Sequence, residues 1–246
     1  SDCSASGRSE RIIQLCRCVI LSLSSCSWLA LPYSAKITAN WPVTYAKKKA
    51  PKVMPAEATQ RSAVVRAAMP ADALWVRDVT MNNTTWGNRW FPLNAPRDNI
   101  YPISAAIGPG LPLGIGAALG AGGRKTVMMS GDGGFAINLA ELWTAMDEGV
   151  DAVFMIMNDH GYGVIKHIQT SLYGGRHYFA DPSAPDYRGL AALCGMPFFH
   201  SDTVAGVGPA LEAALAVDGP AMVEVDMSAI GAYPTYYKPP PYADKN

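Results

Sequence analysis

The sequence predicts an α/β fold, an open and mostly parallel sheet with helices on both faces, and three observations support it. Residues 126–164 read as strand, helix, strand with a polar loop at each strand exit, a unit that closes as a right-handed parallel crossover. Two further short apolar runs, residues 74–76 and 222–225, lead to the aspartates Asp78 and Asp226. The 246 residues include 23 glycines and 19 prolines, which suits short strands joined by many loops, and the 49% hydrophobic content suffices for one good core.

Lys and Arg total 20 and so do Asp and Glu; a net charge of zero points away from polyanionic partners such as nucleic acid. No internal repeat is visible. The five cysteines are odd in number, four lie in the first 26 residues, and no C-x-x-C pair or cysteine-histidine cluster occurs. A disulfide framework or zinc site is therefore not expected, and Cys16 and Cys18 read as free thiols, not soft-metal ligands.

Residues 1–44 differ in character from the rest. Arg8, Glu10, Arg11 and Arg17 precede an uncharged stretch, residues 18–35, that ends before Lys36. A signal-peptide core or a serine-diluted membrane span has this appearance, but the preferred reading is a remnant of an upstream domain or a segment foreign to the domain that follows. That domain is expected over residues 45–231, with 232–246 as an extended tyrosine- and proline-rich tail.

Lys47, Lys48, Lys49, Pro51 and Pro55 mark a solvated linker. Ala63, Val64 and Ala67 share helical spacing before Pro70, so a helix is expected over 56–69. A strand at 74–76 then exits through the polar run 78–83. Residues 86–102 are rich in Trp, Pro, Asn and Arg without periodicity, which predicts a long loop able to cover a site. The small residues of 103–120 imply close packing. That glycine-rich run is not a dinucleotide fingerprint, because Leu119 stands where the third glycine is required, and Arg124 before Lys125 and Thr126 rules out a P-loop.

In the central unit, the apolar run 126–130 stops at Gly131, Asp132, Gly133 and Gly134. Leu139, Leu142, Trp143 and Met146 then share a helical face, with Asn138 as N-cap and Gly149 as the stop. The second strand, 152–157, ends in Asn158, Asp159, His160 and Gly161. A helix follows from Tyr162 through Gln169. Later elements are a short helix at 187–193 capped by Asp186 and followed by Gly195, a helix at 209–217 with Pro209 in its first turn, and the strand 222–225.

Parallel neighbours bring Asp132 and either Asn158 or Asp159 to the carboxyl ends of adjacent strands, where open α/β sheets bind ligands. Their oxygens suit Mg2+, which commonly takes one or two carboxylates and completes its shell with phosphate oxygens. Gly133 and Gly134 leave room for a phosphate beside backbone amides, and the start of the following helix adds a favourable dipole end.

The GDG triplet, the 24 residues from Gly134 to Met157 and then Asn158-Asp159 resemble the thiamine diphosphate motif of the acetolactate synthase, pyruvate oxidase and benzoylformate decarboxylase superfamily. Residues 45–231 resemble its pyrophosphate-binding domain, with that superfamily's ThDP-binding fold. The resemblance implies that Asp132, the Asp159 side chain and the Gly161 carbonyl ligate Mg2+, and that Gly131, Gly133, Gly134 and Asn158 lie against the diphosphate. It places Tyr162, Gly163 and Val164 beside the cofactor, gives Ile107 the role of supporting its bent form, and loosely assigns the turn 78–83 to the diphosphate. Two departures stand out. Asp159 replaces a more usual asparagine, adding a carboxylate that strengthens metal binding and repels diphosphate. Ile168 stands where branched-chain acetolactate synthases carry a tryptophan, which argues for other substrates.

The resemblance further implies a 2-oxo acid substrate, decarboxylation with or without carboligation, a cytoplasmic enzyme of two or four like subunits, and a pyrimidine-binding domain or subunit that supplies an activating glutamate absent from this chain. The alternative is a non-catalytic ThDP-fold binding or assembly module. A phosphatase is disfavoured, because its aspartate nucleophile and acidic partners are missing. His160 and His167 read as solvated histidines before acid-base groups.

Overall fold

The computed structural model describes residues 56–88 and 90–231; the expectations for residues 1–44, the linker and the tail lie outside them. Among the described residues six strands form one sheet: β1 (Leu74–Arg77), β2 (Asn99–Ile100), β3 (Thr126–Gly131), β4 (Ala152–Asn158), β5 (Phe198–Ser201) and β6 (Ala221–Asp226). Their order is β2-β1-β3-β4-β6-β5, and every pairing is parallel. The α/β expectation therefore holds, with a sheet that is parallel throughout.

Central strands of such a sheet are apolar on both faces. Val127 and Met129 of β3 and Val153, Met155 and Met157 of β4 face one layer, formed by α1 (Ala56–Ala68) and α7 (Val204–Leu215) through Val65, Val207 and Leu211. Met128, Phe154 and Ile156 face the other, formed by α2 (Gly110–Gly120), α4 (Glu141–Asp147) and α6 (Tyr187–Cys194) through Leu111, Leu142 and Ala191. Among the described residues no helix is long and apolar enough to cross a membrane.

Four expectations about elements change. The loop expected over 86–102 is partly folded: a π-helical turn at Asn83–Gly87 leads into it, and β2 pairs with β1 near its end. Aromatic packing anchors it, with the Trp75 and Phe91 rings stacked 4.1 Å apart, Trp86 against both, and Trp75 Nε1 donating to the Gly87 carbonyl. The glycine loop after β3 is itself the start of a helix, α3 (Asp132–Ile137), and the single helix predicted beyond it breaks before α4. Asn138 is therefore no N-cap. It ends α3, and its side-chain amide donates to the Gly108 carbonyl at 2.8 Å, a tertiary contact that outbids continuation of the helix.

The third change is at α7, which starts at Val204 behind a Thr203 cap and carries Pro209 in its interior, not its first turn. The fourth is the edge strand β5, too short and too exposed to show a periodic signal. At the sheet's carboxyl edge, α5 (Gly163–Leu172) leaves the end of β4, and α8 (Met227–Ile230) leaves β6 behind an Asp226 cap.

Candidate functional site

Strand order places the carboxyl ends of β1, β3, β4 and β6 side by side. The register fixes depth: Gly131 lies opposite Met157, and Asn158 opposite Asp226. The segments after β1, β3 and β4 thus meet at one sheet edge.

Asp78, directly after β1, is fully buried. Its carboxylate accepts the N–H groups of Val79 at 2.6 Å, Gly108 at 3.1 Å and Gly110 at 3.1 Å, and the Ser130 hydroxyl at 3.3 Å. Burial pushes its carboxyl upward, opposed by these donors. Asp78 ties the turn carrying Ile107 to β1, and a Cβ at Gly110 would sit 2.6 Å from the Asp78 Cβ, so only glycine permits the approach.

Asp132 opens α3 and is 1% exposed. Its Oδ2 accepts the Gly161 N–H at 2.7 Å, whereas Oδ1 is buried with no hydrogen-bond partner. Such an orphan is costly in a folded core. The buried Tyr187 donates its hydroxyl to the Asp132 carbonyl at 3.2 Å. Asp159 stands against Asp132. Burial first, and then the charge of Asp132 and a proton-sharing contact with it, push the Asp159 carboxyl up to about 7, with Lys166 opposing.

A cleft with about 310 Å³ of open space, its mouth included, lies over these groups. Of the residues singled out in the sequence, Ile107, Gly131, Gly133, Gly134, Asp159, Gly161, Tyr162, Gly163 and Val164 line it. Asp132 sits beneath, lining a smaller adjoining pocket. Asn158 is turned away: its Nδ2 donates to Glu224 and its Oδ1 accepts the His160 N–H. The cleft also takes Val79, Thr80, Met81 and Ile165; of these, only the turn after β1 was anticipated, and only by resemblance. His167 lies in a neighbouring cavity with Lys166 and Thr170, and His160 is exposed at 3.8 Å from Asp226.

In the sequence Tyr187 and Glu224 had no role at the site, and Asp78 only a place in the loosely assigned turn 78–83. Each acts across 30 or more residues: Asp78 to Gly108, Tyr187 to Asp132, Glu224 to Asn158. No local spacing signals such contacts.

The donor set is chemically specific. Two facing carboxylates repel unless a cation or proton lies between them. Among the described residues no group of three or more His, Cys, Asp or Glu side chains is placed to hold a metal. A hard cation here would take carboxylate and carbonyl oxygens and leave positions to oxygens of a bound ligand. The orphaned Asp132 Oδ1 fits that role.

The glycines give a first test. A Cβ at Gly133 would lie 2.5 Å from the Tyr162 ring. Gly133→Ala is expected to push the ring into the cleft and destabilise the fold by about 1–2 kcal/mol, read as a lowered urea midpoint with unchanged slope. An unaltered midpoint would mean that the ring is not held there.

Residues 79–225 match the family model described as "Thiamine pyrophosphate enzyme, C-terminal TPP binding domain". The chain is 29% identical over 167 residues to benzoylformate decarboxylase of Pseudomonas aeruginosa, covering 68% of this chain and 31% of that protein. It is 31% identical over 170 residues to the acetolactate synthase isozyme 1 large subunit of Escherichia coli, covering 67% and 30%. The solved structure of the thiamine diphosphate-dependent 4-hydroxybenzoylformate decarboxylase of Rhodococcus jostii RHA1 superimposes with a TM-score of 0.63 at 28% identity, covering 69% of this chain and 32% of that one. The matched chain thus spans about a third of the length of these relatives.

Proposed function

We propose, from the fact that this chain belongs to the thiamine pyrophosphate enzyme family through its C-terminal TPP-binding domain, that its cleft anchors thiamine diphosphate and Mg2+ in a 2-oxo acid decarboxylase or carboligase. The observation that carries this reading is Asp132 Oδ1, a buried carboxylate oxygen without a partner, beside Asp159 and under two glycines that leave the cleft floor bare. Asp132, Asp159 and the Gly161 carbonyl would hold the Mg2+, with diphosphate oxygens filling its remaining positions. Gly131, Gly133 and Gly134 let the diphosphate approach the backbone, and Ile107, held by the Asp78 turn, would support the cofactor's bend. Tyr162, Gly163 and Val164 close the opposite wall. When bound, the cofactor supplies the electron sink for decarboxylating a 2-oxo acid. This chain's residues bind it, fix its orientation and keep water from its diphosphate.

In this reading a pyrimidine-binding domain or subunit contributes the activating glutamate, and the assembled enzyme is a homodimer or tetramer. The named relatives include both a decarboxylase and a synthase, so either outcome for the acyl group is compatible with the site.

Calorimetric titration of thiamine diphosphate into the protein, with Mg2+ and with EDTA, tests the proposal. Binding that requires Mg2+ supports it. Absence of binding both here and in the longest polypeptide that carries this chain overturns it.

Asp159 adds a pH signature. Its folded-state value near 7 exceeds the ordinary 3.8, so the folded protein holds a proton that the unfolded chain has already released. The metal-free protein therefore loses stability as pH rises from about 4 to 7, by about 2–4 kcal/mol from this group. Mg2+ must displace that proton, so metal affinity is expected to rise up to about pH 7 and then level. Thermal unfolding and Mg2+ titration between pH 5.5 and 8 check both trends, and Asp159→Asn should flatten them. A wild-type protein with no such slope would count against the shift.

A further inference from the structure

We infer that Glu224 is a positioning residue, which fixes the Asn158 side chain and through it the turn 158–161 that carries the Gly161 carbonyl. Its functional meaning rests on the metal site proposed above; its geometry does not. Glu224 projects from β6 opposite Ile156, one pleat below Asn158. Asn158 Nδ2 donates to Glu224 Oε1 at 2.7 Å, and the second carboxylate oxygen lies 3.3 Å from His200 Nδ1.

An ionised carboxylate only accepts hydrogen bonds, so it selects the Nδ2 end of the amide. That choice leaves Oδ1 for the turn, where it accepts the His160 N–H at 3.1 Å. A flipped Asn158 would set oxygen against the Glu224 carboxylate and Nδ2 against the His160 N–H, losing both bonds.

The turn needs this hold. His160 adopts φ +54° and Gly161 φ +153°, and a side-chain-bearing residue in the left-handed region costs roughly 1–2 kcal/mol. Two further groups clamp the same turn: Asp132 Oδ2 accepts the Gly161 N–H, and Lys166 Nζ donates to the His160 carbonyl at 3.2 Å. Lys166 is itself held by Asp181 at 2.5 Å. Of these anchors, Asn158 alone bonds the N–H of the strained residue. Its orientation is set by a side chain outside the cleft, since Glu224 does not line it. Partners of this kind, which orient a ligand without touching the metal, typically change metal affinity about 10- to 100-fold when removed.

Glu224→Ala, Glu224→Met and Glu224→Gln separate this role from simple structural support. Glutamine keeps an acceptor for Asn158, and methionine fills the space without one. In the metal-free protein, hydrogen-deuterium exchange of residues 158–163 is expected to quicken about tenfold in the alanine and methionine variants, with β3 and β6 protected as before. Mg2+-dependent binding of thiamine diphosphate should weaken about 10- to 100-fold in both and return to near wild type in Glu224→Gln. If the alanine variant fails to fold, the methionine variant decides. Exchange and affinity unchanged in the methionine variant would overturn the inference. Absence of Mg2+-dependent thiamine diphosphate binding both in the wild-type chain and in the longest polypeptide that carries it would instead overturn the metal site and the role assigned in it, while the exchange data still decide whether Glu224 holds the turn.

Discussion

Asp132→Ala is expected to weaken Mg2+-dependent binding of thiamine diphosphate by about a hundredfold or more, a loss of about 2.7 kcal/mol. The substitution removes the buried, partnerless Oδ1 and, with Oδ2, the acceptor of the Gly161 N–H. One proposed metal ligand disappears and the carbonyl of another loses its positioning. The same change removes the Asp132 charge, which after burial is the next cause of the raised Asp159 carboxyl, so the metal-free variant should remain folded with a shallower pH slope of its stability. Calorimetry with Mg2+ and with EDTA, alongside thermal unfolding between pH 5.5 and 8, reads both effects. Near-wild-type affinity would eliminate Asp132 as a ligand. Asp132→Asn sharpens the comparison, because it retains an acceptor for Gly161 while removing the charge.

Asp78→Ala should produce the largest loss of stability among single changes at the site, about 3–5 kcal/mol. Three backbone N–H groups and the Ser130 hydroxyl converge on this fully buried carboxylate. Truncation leaves the three N–H groups without their acceptor in a place water does not reach, each orphan costing about 1–3 kcal/mol, while the Ser130 hydroxyl keeps the Gly131 carbonyl at 3.1 Å. The turn that carries Ile107 and Gly108 then loses its tether to β1, so cofactor affinity should fall with stability. Urea unfolding measures the first effect and calorimetry the second. A loss under 1 kcal/mol would show that the turn is held by its other contacts, chiefly the Asn138 side chain on the Gly108 carbonyl. Asp78→Asn is expected to fall between, since one of its two oxygens becomes a donor facing donors.

Much of this organisation was legible before any coordinate. The apolar runs of β3 and β4, their glycine-rich and polar exits and the helical pattern between them dictate a parallel crossover, because chain connectivity and handedness admit almost no other closure. That rule alone brings Asp132 and Asp159 to the same edge, and nine of the residues flagged there, from Ile107 to Val164, line one cleft, with Asp132 in the adjoining pocket and Asn158 turned away. Signals of this kind are local: a period, a cap, a glycine, a spacing within one supersecondary unit.

What the sequence alone could not decide is what depends on register and packing between distant segments. Asn138 looked like a helix start and became a helix end because Gly108, brought beside it by the Asp78 turn, takes its side chain. β5 exists because β6 offers an edge for Phe198–Ser201 to join. Asn158 seemed available to a ligand, yet the pairing of β4 with β6 places Glu224 within 2.7 Å and commits it to the turn. Local pattern fixed which side chains gather at the sheet edge, since connectivity sets strand direction. Their partners, and hence where each side chain points, were decided by tertiary contacts, because a buried polar group bonds to whatever donor or acceptor the packed fold brings within reach.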